Sequence, residues 1–220
     1  CYEALNQYQK AIEVYGEMLD LEYTKAFTFY KIGLCYKALK QPIVALNSFQ
    51  KSLREDPQFY LSMMEQSYLY EEMGSMPEAL YFAKEATLLN DNNLDYQKRL
   101  AFLFIDAGKF EESLSCLKKL VDAEPSRFYN WYAYSEVMML VGEYEEAVTV
   151  VKQAIKYHYR AELFYQLSNC YLNLRDKEKG IESLQKALEL DSTLISDMQK
   201  KYPYIKDEVK EAKAKVKKRN

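Results

Sequence analysis

Small residues return along this chain at a fixed interval. Ala11, Ala45, Ala79, Ser113 and Ala147 are each 34 residues apart, and Gly180 follows after 33. Three other series keep the same period. Asn6, Lys40, Gly74, Gly108, Gly142 and Arg175 precede the small residues. Pro57, Asp91, Pro125, Tyr159 and Ser192 follow them. Tyr36, Tyr70, Phe104 and Tyr171 form an aromatic series in which Met138 takes the remaining place. Four series on one period of this length indicate stacked copies of one supersecondary unit rather than a single folded core.

The stretch from Phe128 to Tyr159 shows what that unit is. Trp131, Tyr134 and Ser135 lie at helical spacing, and Gly142-Glu143-Tyr144-Glu145-Glu146-Ala147 forms a Gly-centred break running into a second helix. Ala147 and Ala154 share one face of that helix, where small side chains let two backbones approach closely. The spacing predicts a helical hairpin, which cannot bury its apolar face alone. With 49% hydrophobic residues and only six Gly and five Pro, the chain reads as ordered and mostly helical. It divides into a truncated first unit at 1–25, holding a second helix with Ala11, Tyr15 and Met18 on its packing face, and five full units at 26–59, 60–93, 94–127, 128–160 and 161–193. Pro57 and Pro125 end second helices, because proline cannot continue the hydrogen-bond ladder. The segment 194–220 changes pattern. Leu194, Ile195 and Met198 form a short amphipathic turn, Pro203 opens a new helix, and Ile205, Val209, Ala212 and Val216 make one apolar stripe. It is expected to cap the stack, with a basic tail.

In these residues the chain resembles the tetratricopeptide repeat family. The matching positions are Phe29, Ile32-Gly33, Tyr36, Ala45, Phe49, Ser52 and Pro57 in the first full unit. The third full unit supplies Gly108-Lys109-Phe110-Glu111-Glu112-Ser113, Leu117 and Pro125, and the last Phe164, Leu167-Ser168, Tyr171, Gly180, Leu184 and Ala187. The resemblance implies an all-α fold: a right-handed superhelical solenoid of antiparallel helix-turn-helix repeats with a C-terminal capping helix. Gln66 and Gln97 depart from it where a bulky apolar residue is expected, as does Pro42 after the first break, so looser packing is expected there. A period of 34 falling once to 33 argues against 35-residue RNA-reading repeats.

The resemblance also places the first helix of each unit on the concave side. The candidate groove residues are then Phe27, Tyr30, Met64, Tyr68, Lys98, Arg99, Phe102, Tyr129, Tyr132, Tyr165 and Asn169. Tyrosine, of which the chain has 21, gives large contact area at low entropic cost and keeps a polar tip. A tyrosine-rich groove suits a peptide or helix of a partner protein. Tyr36, Tyr70 and Tyr171 belong to the packing series instead. One subgroup of the family grips a C-terminal carboxylate with a Lys/Asn/Lys/Arg clamp. Its first-unit Lys and Asn fall on Tyr30 and Leu34 here, and Lys98 and Arg99 match it only in part. Those two cations pair with an acidic ligand group or with Asp95 and Asp106 on neighbouring turns.

Other function classes find less support. The net charge of −3 argues against a general nucleic-acid binder. Residues 200–220 alone carry nine Lys or Arg against three Asp or Glu, a net +6, leaving −9 for the remainder. That basic end keeps open contact with an anionic surface or nucleic acid, though such runs also serve as solvated helix ends. Cys1, Cys35, Cys116 and Cys170 are dispersed and His158 is the sole histidine, so neither a metal site nor a disulfide framework is expected. Dispersed, unpaired cysteines are compatible with the cytoplasm. No nucleophile elbow, phosphate-cradling loop or paired-carboxylate motif stands out, and the chain is expected to be a non-enzymatic interaction module without cofactor. The alternative is a structural spacer or self-associating scaffold whose groove is filled by its own chain or a twin. No apolar run reaches the ~18 residues of a membrane span. The chain begins on Cys1, in mid-unit, and is read as a fragment of a parent with further repeats upstream.

Overall fold

The computed structural model describes residues 2–19 and 24–219, without the side chains of Lys218 and Arg219. Cys1, Asn220 and those two basic side chains therefore lie outside the described residues. All regular structure among the described residues is helical. The chain forms two compact units, Cys1–Ala107 and Gly108–Asn220. The first holds α1 (Tyr8–Met18), α2 (Lys25–Ala38), α3 (Pro42–Glu55), α4 (Tyr60–Glu72), α5 (Met76–Leu89) and α6 (Leu94–Asp106). The second holds α7 (Phe110–Ala123), α8 (Phe128–Val141), α9 (Tyr144–Tyr157), α10 (Ala161–Asn173), α11 (Lys177–Leu190), α12 (Ile195–Lys201) and α13 (Lys206–Arg219). Within each unit the helices pack chiefly on their sequence neighbours, the strongest pairs being α2 with α3, α4 with α5 and α10 with α11.

The hairpins turn at the series that precedes the small residues. Asn6, Lys40, Gly74, Gly108, Gly142 and Arg175 all have left-handed backbones, with φ between 56° and 86°. This conformation ends a helix by satisfying its last carbonyls. The amide after it donates back to the aromatic series. Gln41 N bonds Tyr36 O at 2.9 Å, Ser75 N bonds Tyr70 O at 2.8 Å, and Asp176 N bonds Tyr171 O at 2.9 Å. The residue after each of these three turns thus ties the turn to the aromatic series. Three of the six left-handed positions hold residues other than glycine, and each of those carries a Cβ penalty.

The small residues form the closest contacts of each hairpin. Ala45, Ala79, Ser113 and Ala147 are wholly inaccessible. Phe49 fills the space opposite Gly33 so tightly that a Cβ there would stand 2.5 Å from its ring. In the first unit Ala45, Leu46, Phe49 and Leu69 form a core cluster, with Tyr30, Leu34, Tyr36 and Tyr70 packed against it. In the second, Trp131 is buried and donates through Nε1 to the Pro125 carbonyl at 2.8 Å, tying the end of one hairpin to the start of the next. His158 Nε2 approaches the same carbonyl at 3.3 Å, and its ring meets Phe128 edge-on. The lone histidine is therefore part of this junction. Cys35, Cys116 and Cys170 are buried in the helical layers and form no disulfide among the described residues. Burial pushes Cys35 up to about 11, with Glu3 adding to the effect, and Cys170 up to about 12; neither is a reactive thiolate.

The two glutamines depart from the expectation of loose packing. Both are buried. Gln97 donates to the Asp91 carbonyl at 3.1 Å and to its carboxylate at 2.8 Å, so the polar side chain pins the preceding turn. Gln66 is also buried, yet neither its Nε2 nor its Oε1 has a hydrogen-bond partner among the described residues. The capping segment follows its apolar stripe. Ile205, Val209 and Ala212 are buried, and α13 packs on α11.

These features make two stability predictions. Lys40→Gly and Arg175→Gly relieve left-handed strain and should each raise unfolding stability by about 1 kcal/mol. A urea midpoint that stays put or falls would show that the turns carry no strain. Gln66→Leu removes an unsatisfied buried amide at similar volume and should stabilise by roughly 1–2 kcal/mol in the same assay.

Candidate functional site

In the first unit the first helices of successive repeats are joined by a ladder of charge pairs. Lys31 Nζ lies 2.7 Å from Glu3, Lys37 Nζ 2.7 Å from Glu65, and Arg99 Nη1 3.0 Å from Glu71. In each case the partners stand 28 residues apart, one repeat less six positions. That register places opposite charges side by side on neighbouring first helices, with Glu3 supplied by the short 3-10 turn Glu3–Leu5 ahead of α1. Burial acts to raise the Glu3 carboxyl, and the Lys31 ammonium outweighs it and holds the group below its ordinary value.

Tyr68 is the centre of this face. The Arg99 guanidinium lies 3.6 Å from the ring centroid and the Lys37 ammonium 5.1 Å, both in cation–π range. Arg99 also donates from Nε to Ser67 Oγ at 3.1 Å, while its Nη2 is buried without a partner among the described residues. Arg99 thus reaches back to the preceding repeat and does not pair with Asp95 or Asp106 on its own helix. Around it Tyr68, Glu71, Asp95, Lys98, Arg99, Phe102 and Leu103 line an open cleft of about 400 Å³. Lys98 and Phe102 are exposed at its rim, and Phe27 is exposed on α2. Tyr30 is half-buried among Phe27, Phe49 and Phe59, at centroid distances of 5.6–6.1 Å. Met64 is buried, 3% exposed, and presents no surface, contrary to the expectation that it lines the groove.

The corresponding face of the second unit is occupied by the chain itself. Lys201 pairs with the Glu136 carboxylate, donates to the Tyr132 hydroxyl at 3.2 Å, and stands 5.2 Å from the Tyr132 ring centroid. The Tyr204 hydroxyl donates to Asn169 Oδ1 and accepts from Asn173 Nδ2 at 3.1 Å. Tyr165 and Asn169 therefore differ from the expected open lining. They are 1% and 3% exposed, because α10 is enclosed by α8, α9 and α11 and crossed by Tyr204. Tyr132 is half-buried under Lys201, and Tyr129, at 77%, remains open. Sequence reasoning missed Glu71, Lys201 and Tyr204. The opposite charges 28 residues apart were a readable signal for Glu71. Nothing local marked the other two, whose partners are 31 to 69 residues away.

Desolvated tyrosines dominate the ionisation of both units. Burial pushes Tyr96 up to about 12, with Tyr60 adding to the effect, and pushes Tyr165 up to about 12, helped by Asp191. It raises Tyr202 further. Burial pulls Lys201 down, and the Glu136 and Tyr132 bonds more than reverse it, leaving Lys201 raised. In every case the folded chain holds the proton more tightly than the unfolded one. Stability should be level up to the ordinary tyrosine range near pH ~10 and should fall as pH climbs from there toward ~12. Urea midpoints across that range, read with tyrosinate absorbance, check this; a midpoint that rises above pH ~10 would reverse the sign.

With this geometry in place, comparison with known proteins is specific. The tetratricopeptide repeat profile matches residues 28–59 and 161–194. BBSome complex member BBS4 of Bos taurus is 22% identical over 190 residues, covering 86% of this chain and 35% of its own length. TPR repeat-containing protein YpiA of Bacillus subtilis (strain 168) is 30% identical over 95 residues, 43% of this chain and 22% of that protein. The chain thus spans about a third or less of these curated relatives. Among solved structures, YrrB, described as a TPR protein with an unusual peptide-binding site, superposes with a TM-score of 0.70 at 16% identity, covering 87% of this chain and 99% of its own. MamA gives 0.63 at 14% identity, covering 79% and 95%. These likenesses establish the all-α solenoid fold. The profile matches, the named relatives and the common hairpin geometry agree, and the chain carries tetratricopeptide repeats at 28–59 and 161–194.

Proposed function

We propose that this chain is a non-enzymatic protein–protein interaction module and that the first-helix face of its first unit receives a peptide or helix of a partner. The observation that carries this reading is the open cleft of about 400 Å³ in which Phe102 and Lys98 stand exposed beside the Tyr68–Arg99 stack. An apolar side chain of the ligand packs on Phe102, and an acidic group meets Lys98 at the rim. Arg99 supports the wall, since Ser67 and Glu71 already hold two of its three nitrogens. Phe27 and Tyr30 extend the aromatic surface along α2. Binding of protein partners is the general behaviour of the family, and the fold-level likeness to a structure with a peptide-binding site supports the reading. No helix among the described residues is long and apolar enough to cross a membrane.

The test uses two rim residues whose replacement leaves the core intact. A partner recovered from the source cell by the unsubstituted chain should bind the Lys98→Glu/Phe102→Ala variant at least tenfold more weakly, a loss of about 1.4 kcal/mol or more. Helical content should be unchanged. Equal affinity for both chains, measured by calorimetry, would remove this face from consideration.

A further inference from the structure

Four side chains on the first helices of the second unit make a two-point receptor for a segment of defined chemistry. Glu136 and the Tyr132 ring take an ammonium group, by charge pairing and by cation–π contact. Asn169 and Asn173, one helical turn apart on α10, bracket a phenolic hydroxyl with one acceptor and one donor. Asn173 also donates to the Asn169 carbonyl at 2.8 Å and side-chain oxygen at 3.0 Å, which fixes the pair of amides. The chain's own Lys201 and Tyr204, three residues apart across Pro203, fill both points.

The two ligating side chains differ from the rest of the capping segment in how they are held. Tyr202 and Ile205 are buried and continue into the apolar stripe of α13. Lys201 and Tyr204 instead lie at the surface, the Lys201 side chain 34% and Tyr204 57% exposed, and touch the receptor through their tips. Two of the contacts, Lys201 to the Tyr132 hydroxyl and Asn173 to the Tyr204 hydroxyl, are solvent-exposed and of small net worth, so equivalent groups can replace them.

We infer that this face is a recognition surface for a basic–aromatic segment of a partner protein, with a lysine and a tyrosine three residues apart, and that Lys201 and Tyr204 occupy it as a tethered, displaceable stand-in. The site is independent of the cleft around Tyr68 and Phe102. A tethered occupant competes at an effective concentration on the order of millimolar. A free copy of the segment is therefore excluded from the unsubstituted chain and admitted once the tethered side chains are blunted.

The experiment is fluorescence anisotropy with a dye-labelled peptide of residues 199–206, Gln-Lys-Lys-Tyr-Pro-Tyr-Ile-Lys. The full-chain variant Lys201→Glu/Tyr204→Ala should bind it at least tenfold more tightly than the unsubstituted chain. Adding Glu136→Lys to that variant should abolish the gain, and a peptide carrying the same two changes should not bind. A variant that keeps its helical content and cooperative melt but binds no tighter overturns the proposal. A variant that loses its fold overturns displaceability, because the segment would then be core. Lys201→Glu alone, at an exposed position facing Glu136, separates that outcome from damage by the tyrosine change. It should stay folded and still gain affinity for the peptide, and a folded single variant without gain again overturns the proposal.

Discussion

Everything in this fold depends on how closely two helices of a hairpin approach. Ala45, Ala79, Ser113 and Ala147 occupy the closest points and expose no surface at all. A larger side chain there would push the helices apart and leave voids around the aromatic residues opposite. The close approach also sets the connection length. A short link between antiparallel helices needs a backbone that reverses at once, and all six positions before the small residues do so with positive φ. At three of these turns the carbonyls of Tyr36, Tyr70 and Tyr171 receive the amide that closes the turn. Small residue, left-handed turn and aromatic residue are thus three parts of one device, and this is why they share a period.

Repetition at a fixed rise has an electrostatic consequence. If each first helix sits beside the last in the same register, residues 28 apart become neighbours, and the first unit uses this three times with opposite charges. Most of these pairs are partly solvated, so their main effect is on register and on the field of the face rather than on net stability. Arg99 is the exception in degree. It is nine-tenths buried, stacked on Tyr68, and held by both Ser67 and Glu71. A side chain so constrained forms a fixed wall of the cleft, while Lys98 and Phe102 are exposed at its edge.

The two units put the same kind of surface to different use. In the first, the first-helix face opens to solvent. In the second, α10 is covered on nearly every side, and Ala161 and Leu163 through Tyr171 are all buried. The capping segment makes the difference. Its apolar stripe fastens it to α11, and its turn at Pro203 carries Lys201 and Tyr204 over Tyr132 and Asn169. α13 lies on α11 and buries its own apolar stripe there, as an element capping a stack does. Here the cover extends onto the first-helix face of α8 and α10.

Sequence alone determined the architecture. The period, the small residues, the turn positions and the apolar stripe at 205–216 are local patterns that one packing solution satisfies, since a hairpin with a buried alanine face can only stack. Phe27, Phe102, Lys98 and Tyr129 were also legible as surface, through the resemblance that sets which side of the first helices faces outward. The fate of Met64, Tyr165 and Asn169 was not. Phase puts a residue on a face, but whether that face is open depends on what crosses it from elsewhere in the chain. Lys201 reaches Tyr132 over 69 residues and Tyr204 reaches Asn169 over 35. Such contacts depend on the path of the terminal segment after Pro203, which no periodic pattern specifies. Tertiary structure therefore decided which part of the tyrosine-rich surface is free and which is already taken.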